Sequence, residues 1–322
     1  MRGTAVLAFA ATLLSAIPAA SAQNYPVRPI TLIVPFPAGG GVDAVGRIVA
    51  DKLATALGQP VVIENRAGAA GAIGTRIAVK AAPDGYTLAM ANTGTMAINP
   101  NLYANPGYEP RKDITPIGLI STTPIVMMAH PSFGGRTLSD VIAIARRDPG
   151  KLNIGTALPG TSANLAAEFL RSLVAIDFTI VTYKGTGPLT TDILGGHVQL
   201  ALNTPAPAMP HLKAGTLRGI AVLAEKRSSL LPDVPTAVES GLPDFLAALN
   251  YGLVAPAGTP RPIVERLNRE LRALLESADV RARIAADGGD PLMSSPEEYA
   301  ADIEREDKKW GALIKKLNLK VE

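Results

Sequence analysis

Two stretches of this chain carry residue types that could hold an anion. The first is Pro35-Phe36-Pro37-Ala38-Gly39-Gly40-Gly41, which follows a β-branched run and precedes a helical period. A helix start leaves its first backbone N–H groups without intrahelical partners, and glycines let an anionic oxygen approach them closely. A carboxylate or phosphate there gains several hydrogen bonds and the positive end of the helix dipole. A tight turn needing positive φ is the plainer reading of the same glycines. The second stretch is Gly160-Thr161-Ser162-Ala163-Asn164, another strand-to-helix turn, which adds hydroxyl donors to the amides.

Both stretches admit other chemistry. Gly39, Gly41 and Ala44 fit G-x-G-x-x-A, and Glu64 follows at about the spacing of a dinucleotide-binding fingerprint. An NAD-dependent oxidoreductase is therefore the alternative reading. Against it, Pro35 to Ala38 separate the strand from the first glycine, which the fingerprint places almost directly after the strand. Gly160 to Asn164 approaches the G-x-S-x-G nucleophile elbow but fails at its last position. The three histidines, His130, His197 and His211, form no H-x-H or H-E-x-x-H pair. With no cysteine, disulfides, thiol catalysis and Cys-ligated zinc are excluded. No catalytic residue, metal or cofactor is expected. Two anion-holding helix starts without an acid/base pair suit the binding of an anionic small molecule.

Composition narrows the partners. The 322 residues are 47% hydrophobic and 18% charged, which describes a folded globular protein rather than a disordered chain. The formal net charge is +3, and no basic stripe interleaved with aromatics occurs, so no nucleic-acid partner is expected. Arg2, the apolar run Ala5 to Ile17 and the small-residue site Ala20-Ser21-Ala22 read as a signal peptide cleaved after Ala22. Residues 1–22 would then be a leader, and the protein would be exported.

The elements that must position these loops follow one grammar: β-branched run, turn, helical period. Strands are predicted at Ile30 to Val34, Val61 to Ile63, Tyr86 to Ala91, Leu152 to Gly155 and Ile180 to Thr182. Helices are predicted at Val42 to Leu57, within Gly71 to Ala81, around Ala163 to Leu173, and after Gly187 with Pro188 in the first turn. The alternation implies an α/β fold with parallel sheets. Ile117 to Ala129 and Ala247 to Ala255 break the rhythm and read as crossings between two lobes. Lobe one would hold residues 23–123 and 252–322, and lobe two 124–251. At the C-terminus, Ser295 and Glu298 have capping-box spacing, with Pro296 at the first helical position. That helix is expected to pack on its own lobe, with Trp310 in the core.

From Tyr25 onward the chain resembles the Bug-type substrate-binding proteins of tripartite tricarboxylate transporters. The resemblance runs through Tyr25 to Ile30 (YPVRPI), Val34 to Asp43 (VPFPAGGGVD) and Gly58 to Arg66 (GQPVVIENR). It continues through Ala82 to Leu88 (APDGYTL), Tyr183-Lys184-Gly185 and Ala255 to Pro260 (APAGTP). It implies a two-lobe Venus flytrap fold with the ligand cleft between lobes, a periplasmic location and a small carboxylate ligand. It also implies membrane subunits of a tripartite tricarboxylate transporter as partners; a monomer is expected. By the same resemblance, Phe36, Pro37, Ala38, Gly39 and Gly40 together with Gly160, Thr161 and Ser162 would hold one carboxylate, partly through ordered waters. Asn92 and Thr93 would also face the cleft. Three positions depart from the family's usual residues: Asn164 stands where His is common, Asn203 where an acid is common, and Asn250 where Trp is common. Asn203 is expected at the ligand. Losing the acid there weakens the case for a ligand amine, because an amide donates as well as accepts.

Overall fold

The computed structural model describes residues 25–286 and 288–320. The expected leader and its cleavage point after Ala22 lie outside the described residues. Within them the chain builds two mixed sheets flanked by helices. The first sheet receives β1 (Ile30–Val34), β2 (Val61–Asn65), β3 (Thr87–Asn92) and β4 (Ile114–Pro124). The chain then supplies the second sheet with β5 (Val126–Ala129), β6 (Asn153–Thr156), β7 (Thr179–Thr182), β8 (Leu200–Asn203) and β9 (Arg218–Val222). It returns to the first sheet as β10 (Ala248–Pro256) and β11 (Asp290–Pro291). The orders are β11-β4-β10-β3-β1-β2 and β7-β6-β8-β5-β9.

A strand covered on both faces needs apolar residues at successive positions, and β1 and β5 show why their runs read as continuous. Leu32 and Val34 enter the core beneath the first helix (Gly41–Leu57), while Ile33 joins the opposite layer with Ala72 and Ala78. In the second sheet, Met127 and Ala129 face one core, and Val126 and Met128 the other.

The parallel expectation holds for only part of each sheet. β2 and β3 run parallel to β1, and β7 and β8 run parallel to β6. The strands that carry the chain between sheets reverse the sense: β10 is antiparallel to β3 and β4, and β5 to β8 and β9. β4 ends at Pro124 and β5 begins at Val126 with only Ile125 between them, so the crossing is a near-continuous extended segment. Thr122 Oγ1 donates to Asn250 Oδ1 at 2.7 Å, tying the outgoing strand to the returning one.

The C-terminal helix (Pro296–Lys316) starts as its capping box dictates. Ser295 Oγ accepts from Glu298 N–H at 3.1 Å, and Glu298 Oε2 accepts from Ser295 N–H at 2.7 Å. Its packing corrects the expectation of a single lobe. Tyr299 and Ile303 bury against the first sheet, whereas Trp310, Leu313 and Ile314 enter the core of the second. Trp310 is core as expected, edge-on to Phe169 at 6.5 Å, with Nε1 donating to Glu306. Among the described residues, no helix is long and apolar enough to cross a membrane.

Candidate ligand-binding cleft

β1 delivers the chain into the Pro35 to Gly41 turn, and a buried carboxylate inside the first helix fixes that turn. Asp43 is 2% exposed. Its Oδ2 accepts from Gly39 N–H at 2.9 Å and Arg47 Nε at 2.8 Å; its Oδ1 accepts from Arg47 Nη2 and Asn65 Nδ2. Asn65 Nδ2 also donates to Phe36 O at 3.1 Å, joining the end of β2 to the loop. Burial alone would raise the Asp43 pKa, but the hydrogen bonds from Arg47, Gly39 and Asn65 outweigh it and hold the group at about 2. The Gly39 amide is thus spent within the protein. Gly40, the N-cap, offers no side-chain cap. The amides of Gly40, Gly41 and Val42 accordingly have no protein acceptor among the described residues.

The second helix start (Ser162–Val174) is organised by Thr161 and Asn164. Thr161 Oγ1 accepts from Asn164 N–H at 3.3 Å and donates to Leu158 O at 2.8 Å. Asn164 Oδ1 accepts from Gly160 N–H, and its Nδ2 donates to Thr156 Oγ1. Both side chains hold the loop. Ser162 differs: it is 4% exposed, and its buried Oγ has no hydrogen-bond partner. Its hydroxyl and the first-turn amides are what this start can offer a ligand.

The two starts line one cleft of about 390 Å³, a volume within the usual range of small-molecule sites. Of the residues expected from sequence, Phe36, Gly39, Gly40, Asn92, Gly160, Thr161, Ser162 and Asn203 line it. Pro37 and Ala38 do not, and are exposed outside it. Thr93 does not either: it lies behind the wall, where its Oγ1 accepts from Asn250 N–H at 2.9 Å. Thr93 lies past the end of β3, where the backbone has already turned helical, with φ −50° and ψ −37°. Lining residues that sequence reasoning missed include Ala70, Thr123, Thr186, Leu249 and Tyr251. Ala70 sits in a Gly68-Ala69-Ala70-Gly71 turn whose four residues all have positive φ, and its carbonyl accepts from Asn99 Nδ2 at 2.9 Å. The doubled Gly-Ala pattern was the one signal for it.

No Asp, Glu, His, Lys or Arg lines the cleft among the described residues. Ser162 Oγ therefore has no histidine to activate it. Glu64, the acid of the dinucleotide spacing, pairs with Arg66 on the edge strand, so that alternative finds no support. A wider surface groove of about 540 Å³ runs past Glu109, Arg111 and Asp307, but its arginine is already paired with Asp307 at 2.8 Å. Among the described residues no cluster of His, Asp and Glu could hold a metal ion.

The chain is similar to known proteins along nearly its whole length. The profile of the tripartite tricarboxylate transporter family receptor matches residues 45–319. Protein BugT of Bordetella pertussis is 35% identical over 302 residues, which span 94% of this chain and 93% of that protein. MatC of Rhodopseudomonas palustris, solved with bound malate, superposes with a TM-score of 0.77 at 34% identity, covering 90% of this chain and all of that one. A second R. palustris protein, solved with adipate, gives 0.80 at 33% identity, covering 90% of this chain and 97% of that one.

Proposed function

Because the chain belongs to the family of tripartite tricarboxylate transporter receptors, we propose that it is a periplasmic solute-binding protein. It captures a small carboxylate and presents it to the membrane subunits of such a transporter. The leader is removed after Ala22, and the mature protein works as a monomer by binding, not turnover. The crossings at Pro124 and Ala248 act as the hinge between the two lobes, so that residues 248–251, which belong to β10, move with lobe one.

One observation carries the reading: two helix starts with unspent amides line a single cleft, and no charged side chain lines it among the described residues. Neutral, fixed donors suit a carboxylate that must enter and leave. They offer charge-assisted hydrogen bonds without the desolvation cost of a buried ion pair. We place the carboxylate between the Gly40 to Val42 amides and the Ser162 hydroxyl and Ala163 amide. The malate and adipate held by similar proteins support this ligand class.

The test is a thermal-shift and calorimetric screen of the mature chain against malate, adipate, citrate, benzoate and nicotinate. At least one acid raises Tm by mass action and returns chemically unchanged after prolonged incubation. Consumption of the acid, or stabilisation by NAD alone, would overturn the reading.

A further inference from the structure

We propose that the C-terminal helix (Pro296–Lys316) is the pivot about which the lobes turn: its first turns belong to lobe one, its last turns to lobe two, and the motion is taken up between Ile303 and Trp310. The inference rests on the two-lobe receptor reading above and adds a third connection to the two strand crossings. Lobe one holds the start of the helix. Tyr299 and Ile303 share a core with Ile33, Ala89 and Val254 of the first sheet, and Asn250 Nδ2 donates to Asp302 Oδ2 at 3.1 Å. Lobe two holds its end. Trp310, Leu313 and Ile314 are buried with Leu170 and Phe245, while Lys309 Nζ donates to Leu246 O at 2.6 Å and Lys316 Nζ to Ser172 Oγ at 2.7 Å.

The segment after β3 straddles the lobes in the same way. Met96 shares the core of Tyr299, and Asn99 Nδ2 reaches Ala70 O, but Ala97, Ile98 and Leu102 enter the core of lobe two. A Cβ on Gly160 would lie 2.4 Å from Leu102 Cδ2, so the second glycine loop rests directly on that leucine. Asn101 Nδ2 joins the two straddling pieces by donating to Asp307 Oδ1 at 2.6 Å.

Side chains interlocked in a close-packed core do not slide past one another. A helix fixed rigidly to one lobe would therefore have its other end pulled from its seat whenever the strand crossings flexed. The stretch between the two seats is different in kind. Its side chains make ion pairs near the surface, Arg111 to Asp307 at 2.8 Å and Lys308 to Glu304 at 2.8 Å, which exchange with water at little cost. Bending there leaves both cores intact. The stretch also lies behind the cleft: Asn92 lines the cleft on one side and, on the other, shares a small cavity with Asp302 and Glu306. A turn about it opens the cleft between the Gly40 and Gly160 loops.

The chain has no cysteine, so introduced pairs can be spin-labelled uniquely. Exposed alanines serve: Ala56 in the first helix for lobe one, Ala143 in the helix Leu138–Arg147 for lobe two, and Ala301 and Ala312 near the two ends of the C-terminal helix. Each is changed to Cys in pairs, and pulsed electron resonance reads the distances in the mature chain, free and with malate or adipate. The Ala56–Ala143 distance is broad in the free protein and shifts by more than about 2 Å with a bound acid. Ala301–Ala56 and Ala312–Ala143 stay narrow and fixed within about 1 Å. Thermal unfolding reports that each variant folds, and Lys315→Cys replaces Ala312→Cys if that one does not. An Ala312–Ala143 distance that shifts as far as Ala56–Ala143 would put the whole helix in lobe one; an Ala301–Ala56 distance that does so would put it in lobe two. Either overturns the pivot. A single narrow Ala56–Ala143 distance, unchanged by an acid that calorimetry shows to bind, would also overturn it and leave the carboxylate reading standing. Where neither acid binds, the free protein decides: equal widths for Ala56–Ala143 and Ala312–Ala143 overturn the pivot, while the failure to bind counts against the ligand class.

Discussion

Asp43 Oδ2 accepts the Gly39 amide hydrogen at 2.9 Å, so the amide of the loop's first glycine is spent on shaping the cleft it lines. Asp43→Asn would present an amide nitrogen to donors that need an acceptor, leaving Arg47 or Asn65 unmatched. We expect a loss of about 1–3 kcal/mol in unfolding free energy and weaker ligand binding from misaligned Gly40 to Val42 amides. Denaturant unfolding and calorimetry check both. Arg47→Met should cost less, because Arg47 is 54% exposed and water replaces part of its role.

The same group sets a pH dependence. Its folded pKa, about 2, lies below the ordinary 3.8, so its stabilising contribution is complete above the ordinary value. That contribution is lost as pH falls from 3.8 through about 2. The stability difference between wild type and Asp43→Asn should stay flat from neutrality to about pH 5 and shrink below 3.8. A difference that changes between pH 7 and pH 5 would assign the effect to another group.

Ser162 and Thr161 are neighbours with opposite expected signatures. Ser162→Ala removes a buried hydroxyl that has no protein partner, so the free protein should unfold no more easily than wild type. Its affinity for the carboxylate should fall by about ten- to a hundredfold, the loss of one charge-assisted bond. Thr161→Val removes the cap of the second helix start and should cost about 1 kcal/mol in the free protein. Unfolding curves without ligand, followed by titration, separate the two.

Ala69 and Ala70 have φ of 45° and 49°, conformations in which a Cβ crowds the backbone. Ala70→Gly should relieve that strain and raise stability by about 0.5–1 kcal/mol, after allowing for the greater freedom glycine gains in the unfolded chain. Equilibrium denaturation measures it. A destabilised variant would show that the Ala70 methyl, which lines the cleft, contributes more by packing.

Local order was the legible part. β1, its glycine turn and the first helix follow from a β-branched run, glycines and an apolar period, and the Ser295/Glu298 capping box forms as its spacing requires. Placement in space was not. Asp43 reads as an ordinary first-turn acid until Asn65, 22 residues later, is brought alongside it. Thr161 carries the right chemistry for a ligand, yet its hydroxyl is claimed by Leu158 and Asn164 within its own turn. Tyr251 and Thr186 reach the cleft from segments whose meeting depends on strand order, which periodicity does not encode.

The seat of Trp310 decides when the molecule can finish folding. The strands of the second sheet are all synthesised by Val222, but Trp310, Leu313 and Ile314, which complete its core, follow only after β10 and β11 of the first sheet. Until then Phe169 lacks the indole that packs edge-on to it, and Lys309 and Lys316 have not reached Leu246 O and Ser172 Oγ. The second sheet therefore has to wait for the helix that carries them. An apolar seat held open over that interval is a natural target for a chaperone, and a nonsense mutation before residue 310 would leave it open for good.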